Sequence, residues 1–85
     1  MKIDYEFFDA VLACVWNLEN HPSAKAEQIN AALVNQGINS TAALVRFHVR
    51  LAADRGLMQL LDGDYWRLTW AGHEHVEALE NARRL

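Results

Sequence analysis

A mainly α-helical fold carrying one β-hairpin is predicted by three observations. Apolar residues recur at helical spacing in four separate stretches. Gly37 and Gly56 stand where two of those stretches stop, the position that favours a left-handed residue. One Asp-Gly pair, Asp62-Gly63, lies between two short apolar runs and signals a hairpin. The 85 residues make a single domain by length, spanning 1–85.

Asp4 to about Glu19 reads as the first helix. Phe8, Val11, Leu12, Val15 and Trp16 form one apolar line, and Phe7, Ala10, Cys14 and Leu18 form a second beside it. Together they make a face wider than one core stripe needs. Either both lines enter the core, or one of them, with Phe7 on it, lies at a dimer or partner interface. A chain this short buries only about 60% of its unfolded surface. With 52% hydrophobic residues, a homodimer or a bound partner is expected to absorb the excess.

The segment Glu19-Asn20-His21-Pro22 ends that helix, because Pro22 lacks an amide donor and turns His21 away from helical geometry. Ser23 is the expected N-cap of a second helix, Ala24 to Gln36, with Ile29 and Leu33 inward. Gly37 is its left-handed stop, and Ile38 is placed to pack back on Leu33. A third helix is capped by Thr41, turns Val45, Val49 and Ala52 inward, and stops at Gly56. Two short helices joined by a tight glycine turn make a helix-turn-helix unit.

Leu57 to Leu61 and Tyr65 to Leu68 are the hairpin strands, joined through Asp62-Gly63-Asp64 in a type I′ turn. Trp66 and Leu68 alternate on one strand face. Thr69 caps a last helix that Trp70 opens. Gly72 permits close packing there, Val76 and Leu79 face in, and Glu74, Glu77 and Glu80 face out. The three tryptophans read as core and hairpin-packing residues. Helix, helix, helix, hairpin, helix is the order of a winged helix-turn-helix with a two-stranded wing and a C-terminal helix. In the DNA-binding form the second helix of the unit enters the major groove, which here is 41–55.

Two segments carry a resemblance. Arg67 to Leu79, RLTWAGHEHVEAL, and the preceding FHVRLAADRGLM with its Gly-Leu turn are similar to a family of small phage and bacterial proteins of unknown function. They cover about the C-terminal half. The resemblance implies a winged-helix fold and a phage or prophage context. It brings no established catalytic or binding residues with it.

Charge divides the functional possibilities. The third helix holds Arg46, Arg50 and Arg55 against Asp54, a local +2, so the rest of a chain at −3 carries −5. Arg46 and Arg50 share a face and suit guanine or phosphate, and Ser40 and Thr41 are placed to bond a backbone phosphate. A dimeric DNA-binding transcriptional regulator using Ser40, Thr41, Arg46, Phe47 and Arg50 on double-stranded DNA is the first expectation. Against it stand Leu44 and Phe47 on the groove-facing side, Asp62 and Asp64 at the hairpin tip, and few lysines to neutralise phosphate. The alternative is a non-catalytic protein-binding module, with Phe7, Leu44 and Phe47 at an interface to a host or phage protein, for example one of a defence system. Aromatic and arginine residues are what interface hot spots favour.

An enzyme is not expected. No nucleophile elbow or glycine-rich phosphate loop accompanies the Ser, His and Asp residues, so no cofactor or small-molecule substrate is implied. His73 and His75 are two apart rather than at zinc-protease spacing, which predicts no metal site; His73 is expected at the junction of helix and wing. Cys14, the single cysteine, reads as a buried inert thiol. The acidic start at Asp4, Glu6 and Asp9 does not suit a signal peptide, and no apolar run reaches membrane-spanning length. The expected location is cytoplasmic, in the host cell if the chain is phage-encoded.

Overall fold

The computed structural model describes residues 2–18 and 23–83. The segment from Glu19 to Pro22, where the first helix is expected to end, lies outside the described residues. Four helices and a small antiparallel sheet follow in the order α1 (Tyr5–Asn17), β1 (Ala24–Lys25), α2 (Ala26–Asn35), α3 (Ala42–Asp54), β2 (Met58–Leu61), β3 (Tyr65–Leu68) and α4 (Trp70–Arg83). None of the helices is long and apolar enough, among the described residues, to cross a membrane.

Helix α1 begins where Asp4 adopts an extended backbone and its carboxylate accepts the Phe7 N–H at 3.1 Å. Both apolar lines then enter the core, because α1 is covered by α2, α3, α4 and β3. Phe7 is only 8% exposed, with its ring 4.8 Å from that of His48. The interface expectation for Phe7 is therefore corrected: it is a core residue. Trp16 is the member of the first line that stays at the surface. Cys14 is buried, its thiol donates to the Ile29 carbonyl at 3.9 Å, and burial pushes its pKa up.

The second helix starts two residues later than the sequence predicts, and Ser23 is not its cap. Ala24 and Lys25 are extended and pair with Trp66 and Tyr65. The strand ladder satisfies a backbone that would otherwise open the helix. Gln28 Oε1 accepts the Lys25 N–H at 2.8 Å, half of a capping box. The sheet is consequently three-stranded, ordered β1-β3-β2, and not the two-stranded hairpin expected.

Both helix stops are Schellman turns. At the end of α2, Ile38 N–H donates to Leu33 and Gly37 N–H to Val34, with Gly37 at φ 81°. At the end of α3, Leu57 donates to Ala52 and Gly56 to Ala53, with Gly56 at φ 74°. The hairpin turn differs from the type I′ expectation. Leu61 pairs with Tyr65 across a three-residue loop, and the positive φ values fall on Gly63 and Asp64.

The hairpin base locks α4 in place. Thr69 N–H donates to the Leu57 carbonyl at 3.0 Å, and the Thr69 hydroxyl donates to Gly56 while accepting the Gly72 N–H. Gly72 passes so close to this junction that a Cβ would sit 2.1 Å from the Leu57 oxygen. Val76 is fully buried, and Leu79 is half-buried. Glu74 and Glu77 face out as expected, but Glu80 is half-buried and lies 3.6 Å from Arg83. His73 is exposed, not packed at the junction, because Gly72 takes the inward position. His75 makes the tertiary contact instead, donating to Asp9 of α1 at 3.0 Å. Trp70 is 81% exposed at the start of α4, so the expectation of three packed tryptophans holds for Trp66 alone.

Candidate functional site

Helix α3 places the candidate residues through its own periodicity. Val45, His48, Val49 and Ala52 turn inward. His48 is the one buried polar residue described, and two opposite partners fix its neutral tautomer. Its Nδ1–H donates to the Leu44 carbonyl at 2.8 Å, and its Nε2 accepts the Asp4 N–H at 3.1 Å. The bond from Asp4 ties the start of α1 to α3, whose inward side is Val45, His48, Val49 and Ala52.

The residues named from sequence then separate. Leu44 packs back on the core and offers little to an interface. The Ser40 hydroxyl is buried, without a hydrogen-bond partner among the described residues, so it does not face a phosphate. Thr41 is exposed and its oxygen caps α3 by accepting the Leu44 N–H at 3.2 Å, which leaves its own proton to donate outward. Arg46, Phe47 and Arg50 remain together on the outer side. Arg55 does not join them. Its guanidinium lies over the rings of Tyr5 and Phe8 at 5.9 and 5.7 Å, so the positive surplus of α3 is split between two places.

Arg46 and Arg50 form a ridge between two hollows. On one side Ala43, Phe47 and Leu51 complete an apolar depression of about 440 Å³. Phe47 is half-buried there, its ring edge-on to His48 at 5.1 Å. On the other side a groove of about 490 Å³ runs between α3, the β1–α2 junction and the hairpin. Lys25, Ala26, Glu27, Leu60, Asp64 and Trp66 line it with the two arginines.

The charges in the groove nearly balance. Arg46 donates to the Glu27 carboxylate, a pair in which both side chains remain about half exposed. The Glu27 carboxyl is held below the usual carboxylate range, first by its own backbone N–H at the start of α2 and then by Arg46 and Lys25. The Lys25 ammonium lies 5.2 Å from the centre of the Tyr65 ring. Trp66 is buried as the apolar floor, while its cross-strand partner Leu60 is 51% exposed.

Lys25, Glu27, Leu60 and Trp66 were not legible as site residues. Glu27 and Arg46 are 19 residues apart, so no local spacing links them. Lys25 reaches the groove through β1, a strand too short to show a pattern. Among the described residues, no three His, Cys, Asp or Glu side chains converge as metal ligands would. The chemistry on this surface is recognition: guanidinium donors, an ammonium, two carboxylates and exposed apolar area.

No protein-family model matches the chain, and no curated protein matches it significantly.

Proposed function

We propose that the chain is a winged-helix domain that acts as a non-catalytic protein-recognition module, using α3 and the adjoining hairpin. Its helix-turn-helix unit and the β1-β3-β2 sheet support the fold assignment. The observation that carries the function is the Phe47 hollow bounded by an arginine pair, of which Arg46 is already engaged by Glu27. DNA affinity depends on neutralising phosphates. Here two carboxylates, Glu27 and Asp64, stand among the three cations of the groove, and the chain as a whole is at −3. An aromatic residue beside arginines in an apolar depression suits a protein hot spot.

The resemblance of Arg67 to Leu79 to the phage and bacterial family makes a host or phage protein the natural partner. The two apolar lines of α1, Trp16 excepted, pack within the protomer. The test is capture of a partner from host lysate, its identification, and calorimetry with the purified pair. Phe47→Asp is expected to abolish binding while the circular dichroism spectrum stays unchanged. Equal binding by Phe47→Asp would refute this use of α3.

One observation favours a second reading, contact with double-stranded DNA. Arg46 and Arg50 stand on the exposed side of α3 with Lys25 across the groove. That reading expects a salt-dependent gel shift on DNA upstream of the chain's own gene, lost in the double variant Arg46→Ala and Arg50→Ala. A wild-type protein that gives no shift at low ionic strength removes it.

A further inference from the structure

We propose that the groove between α3 and the hairpin binds a carboxylate side chain from an acidic, extended segment of the partner, and that Glu27 holds that place on Arg46 in the free protein. The proposal rests on the protein-recognition function above and names the chemistry of the partner.

Three cations from two parts of the fold line the groove: Lys25 from β1, and Arg46 and Arg50 from α3. Trp66 and Leu60 supply an apolar floor and wall, so an incoming aliphatic stem has surface to cover. The volume of about 490 Å³ lies in the ordinary range for ligand sites. Its open form, bounded by a helix on one side and a hairpin on the other, suits a chain segment better than an enclosed small molecule.

Glu27 and Arg46 are an exposed pair, with side chains 58% and 47% accessible. Such pairs contribute little to stability, because water solvates both partners. Arg46 therefore exchanges one carboxylate for another at little cost, and its planar fork takes an incoming carboxylate through two parallel bonds. Asp64 at the groove edge repels any anion, but it accepts the backbone N–H groups that a peptide segment brings with its carboxylate and a phosphodiester backbone lacks.

Arg46 and Arg50 line both hollows, one helical turn apart on α3. A segment crossing the ridge places an apolar side chain in the Phe47 hollow and a carboxylate in the groove.

The test selects random displayed peptides against the full chain, synthesises the best one, and measures its affinity by fluorescence anisotropy. Selected peptides are expected to carry Asp or Glu close to a large apolar residue. Lys25→Glu should weaken binding by about tenfold, and Glu27→Gln should tighten it severalfold by removing the internal competitor. Both residues are exposed, and circular dichroism checks that each variant folds. If Phe47→Asp abolishes binding while Lys25→Glu and Glu27→Gln match wild type, the groove proposal fails and the α3 function stands. If no peptide is selected, the groove proposal fails and the α3 function stands; if Phe47→Asp binds the peptide like wild type, both fail. Weaker binding by Glu27→Gln would make Glu27 a contact rather than a placeholder and overturn the proposal. Displacement of the peptide by a short DNA duplex at moderate salt would overturn it as well.

Discussion

The hairpin is closed at its base and open toward its tip. At the base, Met58 and Leu68 are paired and both buried, Thr69 bonds to Gly56 and Leu57, and Gly72 lies against the Leu57 carbonyl. Toward the tip, Leu60 is half exposed opposite buried Trp66, and the turn carries Asp62 and Asp64. Steric contact leaves the base one arrangement. The tip keeps apolar and charged surface that the fold does not use. The contrast separates residues that hold the structure from residues that remain available to a partner.

The largest expected effect comes from breaking the base. Gly72→Val forces a side chain into the Leu57 backbone, an overpacking of the kind that costs about 3 kcal/mol or more. In a domain of this size each kcal/mol lowers the melting temperature by roughly 4–8 °C, so thermal melting should show severe loss or an unfolded chain. Thr69→Ala comes next. It removes the cap of α4 and leaves the Gly56 carbonyl without its hydroxyl donor, costing about 1–2 kcal/mol by denaturant unfolding. Leu60→Ser, at the open end, should change stability by no more than about 0.5 kcal/mol while weakening peptide binding. A large stability loss from Leu60→Ser would erase the distinction between base and tip.

The smallest effect concerns pH. The folded-state pKa of Glu27 is depressed, so its contribution to stability is complete above the ordinary carboxylate value and lost as pH falls through the depressed one. The side chain is 58% exposed and solvent screens the pair, so Glu27→Gln should lower the neutral-pH melting temperature only slightly and slightly flatten its fall on acidification. Peptide binding by the wild type should respond differently, because acidification protonates both the competitor and the incoming carboxylate.

What could be read from the sequence was local. Gly37 and Gly56 stop helices with left-handed residues, Thr41 and Thr69 cap helices three residues from the N–H they accept, and Gly72 marks a close approach. Each of these works within a few positions of chain. A two-residue strand has no alternation, so β1 leaves no pattern in the sequence, and the third strand and the start of α2 depend on it. The pairing of Arg46 with Glu27 and the diversion of Arg55 to Tyr5 and Phe8 depend on elements far apart in sequence. Composition showed a surplus of positive charge on α3, but only the fold shows that it is divided and partly neutralised. Phe7 and Trp16 illustrate the same limit. Their apolar character was plain, yet which of them is covered depended on the packing of α1.

The most direct measurement is fluorescence anisotropy of a labelled DNA duplex titrated with the wild-type chain at low ionic strength. Protein recognition through the α3 face predicts no saturable binding, with the Arg46→Ala and Arg50→Ala double variant indistinguishable from wild type. Saturable binding that weakens steeply with added salt and disappears in the double variant would contradict it.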